Sequence, residues 1–361
     1  MWSRPSFKYY KNWVVKAYID GVEKFSHVQN LSGQRVLISM GSKALGDTIA
    51  WMPYIEQFRL KHNCHVVCSG WWQEIFDYPE IEFVAPGSTV ENIYASYEVG
   101  CFDDQLDKNV TNWRTVPLQK VAADILGLDY EPLKAKLKVD KSLSKSMPSH
   151  NDPVGFWHYV CFSEFSTMQN KLWNREGAWQ KVVDYLISNK RTPVSISFEK
   201  SELNNIVAHN SQSIYQTIAD IANCEFYIGL NHGPAWIAYA LGKPVIMLTG
   251  VSEEWNDFPM FKRLSVNSCT PGCFNDPSLP IDRNWSWCPR NNNFMCTRDI
   301  TEEMVYDAID ELVKTTRNYM EVGGHAGKDK KKGKRVSGAN TRRNKGKEYK
   351  PEESQIAGAV T

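Results

Sequence analysis

The chain has 361 residues, of which 42% are hydrophobic and 23% are charged. This length suits about two domains, and this composition excludes wholesale disorder, a collagen-like chain and a bare coiled coil. The formal net charge of +1 is unevenly distributed, because residues 323–361 hold eleven Lys and Arg against four acids, a net of +7 that leaves −6 on residues 1–322. The sequence therefore predicts a mildly acidic body and a basic tail.

The basic tail, residues 323–361, has none of the thirteen tryptophans and no apolar run before its last residues. It cannot bury enough apolar surface to offset the entropy lost on ordering, so we predict that it is disordered. A basic tail can bind nucleic acid or an anionic membrane. A solvated extension is the simpler interpretation, and nucleic acid is not an expected partner.

The sequence offers no targeting or membrane-spanning segment. Residues 1–20 mix Trp, Lys and Tyr without a continuous apolar core, so no secretory signal is predicted. The most apolar long window, residues 226–242, is interrupted by Asn231, His232 and Pro234, which predicts no membrane span. Nine cysteines, four of them clustered late in the chain, favour a reducing compartment, and we expect a cytoplasmic protein.

The first half of the body alternates between strands and helices. Residues 1–34 have no clear period and are expected to pack on the body as a lead-in. The elements that follow are a strand at 35–40, a loop at 41–46, a helix at 47–61, a strand at 65–69, a short helix at 72–78 and a strand at 81–84. This alternation is typical of a parallel sheet.

A linker is predicted at residues 138–153, which are rich in Lys, Ser and Pro. The boundaries that follow are residues 1–150 for the first domain, 151–322 for the second and 323–361 for the tail. The second domain has predicted strands at 159–163, 194–197, 226–229 and 245–248, and predicted helices at 178–188, 214–223, 235–241 and 300–320. Two Rossmann-like halves place a ligand in the cleft between them, at the carboxyl ends of the strands.

The first candidate site is the junction of loop and helix at residues 41–48 (GSKALGDT). Its glycines let the backbone approach a ligand, and the start of a helix offers unpaired N–H groups. The segment is neither a P-loop nor a G-x-G-x-x-G fingerprint. Asp47 is placed either as a general base that faces the cleft or as an ordinary N-cap of the helix.

The second half carries polar residues after several predicted strand ends. Residues 231–234 (NHGP) follow one strand and open a helix, where anions bind readily. Thr167 and Lys171 follow another strand, and Glu199 follows a third, where a lysine suits a phosphate and a carboxylate suits ribose hydroxyls. Each residue alone is more often solvated or part of a turn, but their common edge of one sheet favours a nucleotide site.

Four segments carry a more specific pattern: ISMGSKALGDTIAWMPYIEQF, VPLQKVAADILGL, FSEFSTMQNKLWNREGAWQKVVDYL and FYIGLNHGPAWIAYALGKPVIMLTG. From about residue 36 to residue 320 the chain resembles the heptosyltransferase superfamily, whose fold is the two-Rossmann GT-B architecture. Within it, the pattern is most similar to the bacterial autotransporter heptosyltransferases. The resemblance implies an enzyme that modifies Ser, and sometimes Thr, side chains of surface adhesins inside the cytoplasm.

Carried onto this sequence, the resemblance implies a role for each matched position. Asp47 takes the place of the base that deprotonates the acceptor hydroxyl, and Pro117 and Gln119 match a motif near the acceptor. The resemblance implies that the donor is bound by Lys171 at the diphosphate and by Glu199 near the ribose, with Thr167 as a further donor-binding residue. Four residues lie under the phosphates: Asn231, His232, Gly233 and Pro234. Pro234 departs from the usual small residue and lacks an N–H donor, a loss that the first turn of a helix tolerates.

The late cysteines have the spacing of a closed thiolate site: Cys269, Cys273, Cys288 and Cys296. Two pairs separated by a loop with Pro, Gly, Asn and Asp suit tetrahedral coordination, and the softness of the ligands allows zinc or a mononuclear iron. The alternative is four scattered free thiols. The family resemblance favours iron in a structural finger, and the other five cysteines are expected in the core.

These features lead to a predicted α/β enzyme of GT-B architecture that moves a sugar, with ADP-heptose as donor, onto Ser or Thr of a protein acceptor. Its expected partners are the nucleotide sugar and the acceptor, and a homo-oligomer is left open. Another donor or a saccharide acceptor is the first alternative, and a non-catalytic, metal-stabilised binding scaffold is the second. Four tryptophans of the first half are candidates for an acceptor groove or for the core: Trp51, Trp71, Trp72 and Trp113.

Overall fold

The structure is a computed structural model of the chain, and it describes residues 7–102, 108–140, 142–143, 158–208, 213–281 and 285–326. The chain forms two compact units that divide after Val313. The second unit, as far as it is described, is the C-terminal part of the last helix. Most of the predicted linker, the predicted domain boundary at residue 150 and residues 327–361 of the tail lie outside the described ranges. No helix in those ranges has the length and hydropathy required to cross a bilayer.

The first half contains a hairpin and a four-stranded parallel sheet. Its elements are β1 (Val14–Ile19), β2 (Val22–Val28), β3 (Arg35–Met40), α1 (Leu45–His62), β4 (His65–Ser69), β5 (Glu82–Val84), β6 (Ala95–Val99) and α2 (Leu118–Leu126). The order in the sheet is β5-β4-β3-β6, and all neighbours are parallel. The predicted strands are confirmed, whereas the predicted short helix at 72–78 is only a 3-10 turn at Gln73–Ile75.

The second half contains a six-stranded parallel sheet. Its elements are β7 (Tyr159–Ser163), α3 (Ala178–Ser188), β8 (Thr192–Ser195), β9 (Val207–Ala208), α4 (Ile214–Asn223), β10 (Tyr227–Leu230), α5 (Gly233–Ala240), β11 (Val245–Leu248), β12 (Lys262–Leu264), α6 (Met295–Arg298) and α7 (Glu302–Ala326). The order β12-β11-β10-β7-β8-β9 is that of a doubly wound Rossmann sheet. The switch point, where ligands bind, lies between β7 and β10.

The lead-in differs from its prediction. Tyr10 does pack on the body, since its backbone N–H donates to Ile125 O at 2.8 Å and its ring contacts Phe58. Beyond it, however, β1 and β2 form an antiparallel hairpin in which six large apolar residues are 53–60% exposed: Val14, Tyr18, Ile19, Val22, Phe25 and Val28. The turn between them is Asp20-Gly21, both with positive φ, which is a strong hairpin signal in the sequence. The strands on either side of this turn lack the alternation of apolar and polar residues that a half-buried strand has, because neither face of the hairpin is buried.

The two sheets share one hydrophobic cluster, which includes Tyr54 of α1 and Ala235 of α5. The amino ends of α1 and α5 approach each other so closely that a side chain at either of two glycines would displace its neighbour. A Cβ on Gly46 would stand 3.0 Å from Cδ1 of Trp236, and a Cβ on Gly233 would stand 2.9 Å from Cδ2 of Leu45. The first turn of α1 is thereby held against the first turn of α5.

Candidate active site

A cavity of about 320 Å³ lies at the amino ends of α1 and α5. Its walls are built by residues that follow the carboxyl ends of β3, β7, β8, β10 and β11. Predicted site residues that line it are Asp47, Thr167, Lys171, Glu199, Asn231, His232, Gly233 and Pro234. The structure thus brings residues from both halves of the chain to one cleft, at the edge where doubly wound sheets bind ligands.

Asp47 lies in the first turn of α1, as its third residue. Ala44 is the N-cap, with extended backbone and no capping side chain, so the N-cap interpretation of Asp47 is wrong. The hydroxyl of Ser42 donates to Oδ2 of Asp47 at 2.7 Å, and Ser42 Oγ also accepts from the backbone N–H of Ala44 at 3.1 Å. The carboxylate is therefore oriented by its own loop, in a wall of the cavity.

Lys171 ends a 3-10 turn at Gln169–Lys171, in the loop after β7. Burial lowers the pKa of its ammonium group, while Asp47 and Asp257 both act to raise it. These two carboxylates belong to opposite halves of the chain. Lys171 is thus a cation in the field of carboxylates from both halves, and it lines the same cavity as Asp47.

His232 is the N-cap residue of α5, and Pro234 occupies the first turn, where its missing N–H is tolerated. The ring Nε2 of His232 lies 3.2 Å from the hydroxyl oxygen of Tyr227. Burial, reinforced by the charge of Lys171, lowers the pKa of His232 to about 3. The imidazole is therefore neutral at ordinary pH, and the backbone N–H groups at the start of α5 provide the positive end of the helix dipole.

The low pKa of His232 predicts a loss of stability in acid. An unfolded histidine titrates near pH 6.5, so the folded chain binds fewer protons than the unfolded chain between about pH 6.5 and pH 3, and its stability is fully present only above that window. When the pH falls from about 7 to about 5, the free energy of unfolding of wild type should drop by about 1–2 kcal/mol more than that of His232→Gln. The glutamine amide of this variant can still bond Tyr227. Urea denaturation at both pH values measures this, and identical losses in the two proteins would contradict it.

The side chain of Asn231 is held by hydrogen bonds to Ser252 and Asp257. Its Nδ2 donates to Ser252 Oγ and to Asp257 Oδ1, both at 2.8 Å. Asp257, whose side chain is 3% exposed, also accepts from Ser252 Oγ at 3.1 Å and from Arg263 Nε at 3.3 Å. Because a carboxylate only accepts hydrogen bonds, the amide nitrogen must face Asp257, and Oδ1 of Asn231 is turned away from that carboxylate.

Sequence reasoning missed the residues beneath Asn231. Ser252 and Asp257 follow β11, so the strand-end rule that found residues 231–234 extends to them, whereas Arg263 lies within β12 and is outside that rule. It also missed Glu164, a buried acid directly after β7 that accepts from Ser195 Oγ at 3.1 Å and from Ser197 Oγ at 3.0 Å. Ser197 lines the cavity, whereas Glu199 and Thr167 line it as exposed residues.

The motif expected near the acceptor lines the cavity through Leu118, while Pro117 and Gln119 do not line it. Pro117 is the N-cap residue of α2. Gln119 is buried, and its amide bonds Ala50 O at 3.2 Å, Leu133 O at 2.7 Å and the N–H of Leu133 at 3.2 Å. The geometry gives Gln119 a structural place beneath the wall rather than a place at an acceptor surface.

The four tryptophans divide between core and surface. Trp51 and Trp113 are buried, and Nε1 of Trp51 donates to Leu118 O at 2.9 Å, so the groove interpretation is wrong for these two. Trp71 is exposed, and Nζ of Lys43 lies 4.8 Å from its ring centroid. Trp72 donates to Lys43 O at 2.9 Å. Lys43 directly precedes Ala44 of the cavity wall, so both tryptophans lie beside the loop that carries Asp47.

The late cysteines share one neighbourhood. The pKa of Cys296 is raised to about 12, mainly by burial and further by the neighbouring thiols of Cys269, Cys273 and Cys288. Asn292 donates through its backbone N–H to Cys288 Sγ and through Nδ2 to Cys269 Sγ, both at 3.2 Å. In the described ranges no group of three or more His, Cys, Asp or Glu side chains has metal-binding geometry. None of the nine cysteines, all of which lie in the described ranges, is joined in a disulfide.

Comparison with known proteins identifies the family. No protein-family profile matches the chain. It is 30% identical over 336 residues to the autotransporter heptosyltransferase BAHTCr of Citrobacter rodentium, with 86% of this chain and 79% of the relative covered. It is also 30% identical over 336 residues to the autotransporter heptosyltransferase TibC of Escherichia coli, with 86% and 80% covered. BimC of Burkholderia thailandensis, 24% identical over 82% of this chain and 73% of its own length, is named an inactive autotransporter heptosyltransferase.

A solved structure agrees with these relatives. The dodecameric iron-containing heptosyltransferase TibC, in complex with ADP-D-β-D-heptose, matches with a TM-score of 0.78 and 25% identity, over 87% of this chain and 86% of TibC. The fold with two parallel sheets is therefore that of a glycosyltransferase, as the sequence predicts. At 30% identity over most of both chains, the protein belongs to the autotransporter heptosyltransferases, a family of GT-B-like glycosyltransferases.

Proposed function

We propose that the chain transfers a heptosyl group from ADP-heptose to Ser or Thr hydroxyls of a protein acceptor. The observation that carries this proposal is the cleft itself, where Asp47 of the first half meets Lys171 and the amino end of α5 from the second half. A base on one side and a cation with a helix dipole on the other are the groups that such a transfer requires. The ADP-heptose complex of TibC supports the choice of donor.

In the proposed reaction, Asp47 accepts the proton of the acceptor hydroxyl while the hydroxyl oxygen attacks the anomeric carbon. The bond between that carbon and the oxygen of the diphosphate breaks, and ADP departs with the electron pair. Negative charge therefore grows on the diphosphate as the bond breaks. Lys171 and the positive end of the α5 dipole stabilise that charge, which is where electrostatic help lowers the barrier most.

The remaining cavity residues bind different parts of the donor. We assign Glu199 to the ribose hydroxyls and Thr167 to the phosphates, because both follow strand ends of the six-stranded sheet and line the cavity. The oriented Oδ1 of Asn231 accepts from a hydroxyl group rather than binding a phosphate oxygen, since an amide oxygen cannot donate. This revises the predicted place of Asn231 from the phosphates to a hydroxyl of the donor.

The acceptor then enters from the side of the first half. Residues 44–47 and Leu118 form that wall, and α1 is bonded to the start of α2 through Gln119 Nε2, which donates to Ala50 O, and Trp51 Nε1, which donates to Leu118 O. We place the acceptor chain along Lys43, Trp71 and Trp72, at the outer end of the Asp47 loop. Further copies of the chain are expected partners because TibC is dodecameric. Nine cysteines without a disulfide suit a reducing cytoplasm.

We propose that the four late cysteines hold a structural iron. The donor chemistry fits a thiolate-bound iron, since the nearby Cys269 and Cys288 help to raise the pKa of both Cys273 and Cys296, and Asn292 donates to Sγ of Cys269 and of Cys288. Bound iron would cross-link a segment with little apolar content of its own. TibC is described as iron-containing, which favours iron over zinc.

Replacing Cys273 or Cys296 with serine is expected to abolish stoichiometric iron in the purified protein, because a tetrathiolate site loses one of its four ligands. Elemental analysis and visible absorption measure the loss. The matched control is Cys101→Ser, a cysteine outside the late cluster, which should retain its iron and colour. Wild-type protein that carries zinc, or no metal, would overturn the assignment.

Two other functions stay distinguishable from this proposal. A different donor sugar or a saccharide acceptor changes only which substrates react. A binding scaffold without catalysis has a precedent in the name of BimC. Calorimetry with ADP, UDP and GDP, followed by a nucleotide-sugar panel, separates them: we expect ADP to bind and ADP-heptose to be consumed in the presence of an acceptor. Preference for another nucleotide would reject the donor, and binding without turnover of any donor would favour the scaffold.

A further inference from the structure

Arg114 lies at the end of the cleft where the cysteine segment meets the first half. It belongs to a 3-10 turn at Trp113–Thr115, four residues before Leu118 of the cavity wall, and it is 6% exposed. Three of its guanidinium nitrogens donate to backbone carbonyls of the second half. The contacts are Nε to Phe274 O at 2.9 Å, Nη1 to Leu279 O at 2.7 Å and Nη2 to Cys273 O at 3.0 Å.

The same segment bonds back to Arg114. Nδ2 of Asn275 donates to Arg114 O at 3.0 Å and to Asn256 Oδ1 at 3.2 Å, while Oδ1 of Asn275 accepts from the N–H of Glu253 at 2.9 Å. The ring of Trp113 meets the ring of Phe274 edge to face, with centroids 5.3 Å apart. Arg114 and Asn275 therefore form a reciprocal pair of contacts between the two halves.

This pair controls residues that line the cavity. Phe274 and Asn256 are both wall residues, and the N–H of Phe274 donates to the carbonyl of Val251, a third wall residue, at 2.9 Å. On the other side, Leu118 belongs to the wall of the first half. A chain of backbone and side-chain contacts thus runs from one wall of the cleft to the other through Arg114.

We infer that Arg114 is a positioning residue that sets the width of the donor cleft. A planar guanidinium with five donors matches three carbonyls that lie in different directions, which an ammonium group cannot reproduce. Without it, Phe274 and the loop at residues 251–256 lose their fixed distance from Leu118. Donor binding would then have to restore that arrangement, so affinity falls although no group that touches the nucleotide has changed.

The inference rests on the proposed function, because ADP serves as the probe. We expect Arg114→Met to weaken ADP binding by about tenfold or more in calorimetry, at a temperature where the variant is fully folded. Asn275→Ala should weaken it in the same direction. The double variant should bind ADP about as weakly as the weaker-binding single variant, because both substitutions loosen the same junction between the halves.

The matched control is Arg191, another buried arginine, which bonds Glu225 at 2.8 and 3.1 Å and Asn189 O at 3.1 Å next to the start of β8. That position is at the opposite end of β8 from the cleft, so Arg191→Met should lower the melting temperature and leave ADP affinity within about twofold. If Arg114→Met weakens ADP no more than Arg191→Met does, Arg114 is only structural and the inference fails. If wild-type protein does not bind ADP, the proposed function fails instead.

Discussion

Asp47→Asn is expected to lower the rate of heptosyl transfer by about 10²–10⁴-fold, the range that a positioned general base contributes. The variant should fold as wild type does, because the amide oxygen can still accept the hydrogen bond from Ser42 that holds the side chain at 2.7 Å. ADP affinity should stay within about twofold, since the lost group acts on the acceptor hydroxyl. Transfer rates with calorimetry on the same samples measure both quantities.

Ser42→Ala provides the matched control for Asp47. It removes the hydrogen bond to Oδ2 and retains the carboxylate, so transfer should fall much less than in Asp47→Asn. A loss in Asp47→Asn of less than about tenfold would rule out Asp47 as the base. An equal loss of ADP affinity and of transfer would instead make Asp47 a donor ligand.

Lys171→Met is expected to weaken ADP binding and to lower transfer by about 10²–10³-fold, because the departing diphosphate loses its cation. Lys262→Met, which breaks an exposed pair with Glu311, should change neither quantity. The pH dependence gives a second test. Burial lowers the pKa of Lys171, and only its ammonium form attracts the diphosphate. ADP affinity should therefore fall as the pH rises, with a midpoint below the pKa of an ordinary lysine. Unchanged ADP affinity in Lys171→Met would contradict the assignment.

The fold was predictable because its signals are local. Parallel strands in the centre of a sheet are short, apolar and followed by loops, and the helices at Ala178–Ser188 and Ile214–Asn223 have one apolar face each. The structure confirms both helices with the predicted bounds. The hairpin was missed because its pattern has no buried face, even though Asp20-Gly21 marks its turn.

The candidate site was predictable only for residues in the loops that follow strand ends. Arg114 acts through contacts between distant segments, and no spacing rule relates it to Phe274 across 160 positions. Gln119 was predicted to lie near the acceptor because it belongs to a motif that matches the family. Its side chain instead bonds backbone carbonyls in the interior. Trp51 and Trp113 are similar, since an aromatic residue near a site is more often part of the core.

The most direct test of the account is the mass of an acceptor after reaction. Autotransporter passenger polypeptides are incubated with ADP-heptose and either wild-type protein or Asp47→Asn, and then analysed by intact and fragment mass spectrometry. With wild-type protein, we expect the mass to rise in whole heptosyl increments located on Ser or Thr, and with the variant we expect no increase in the same time. Bound ADP-heptose with unmodified polypeptides, or equal modification by both proteins, would contradict the proposed transfer through Asp47.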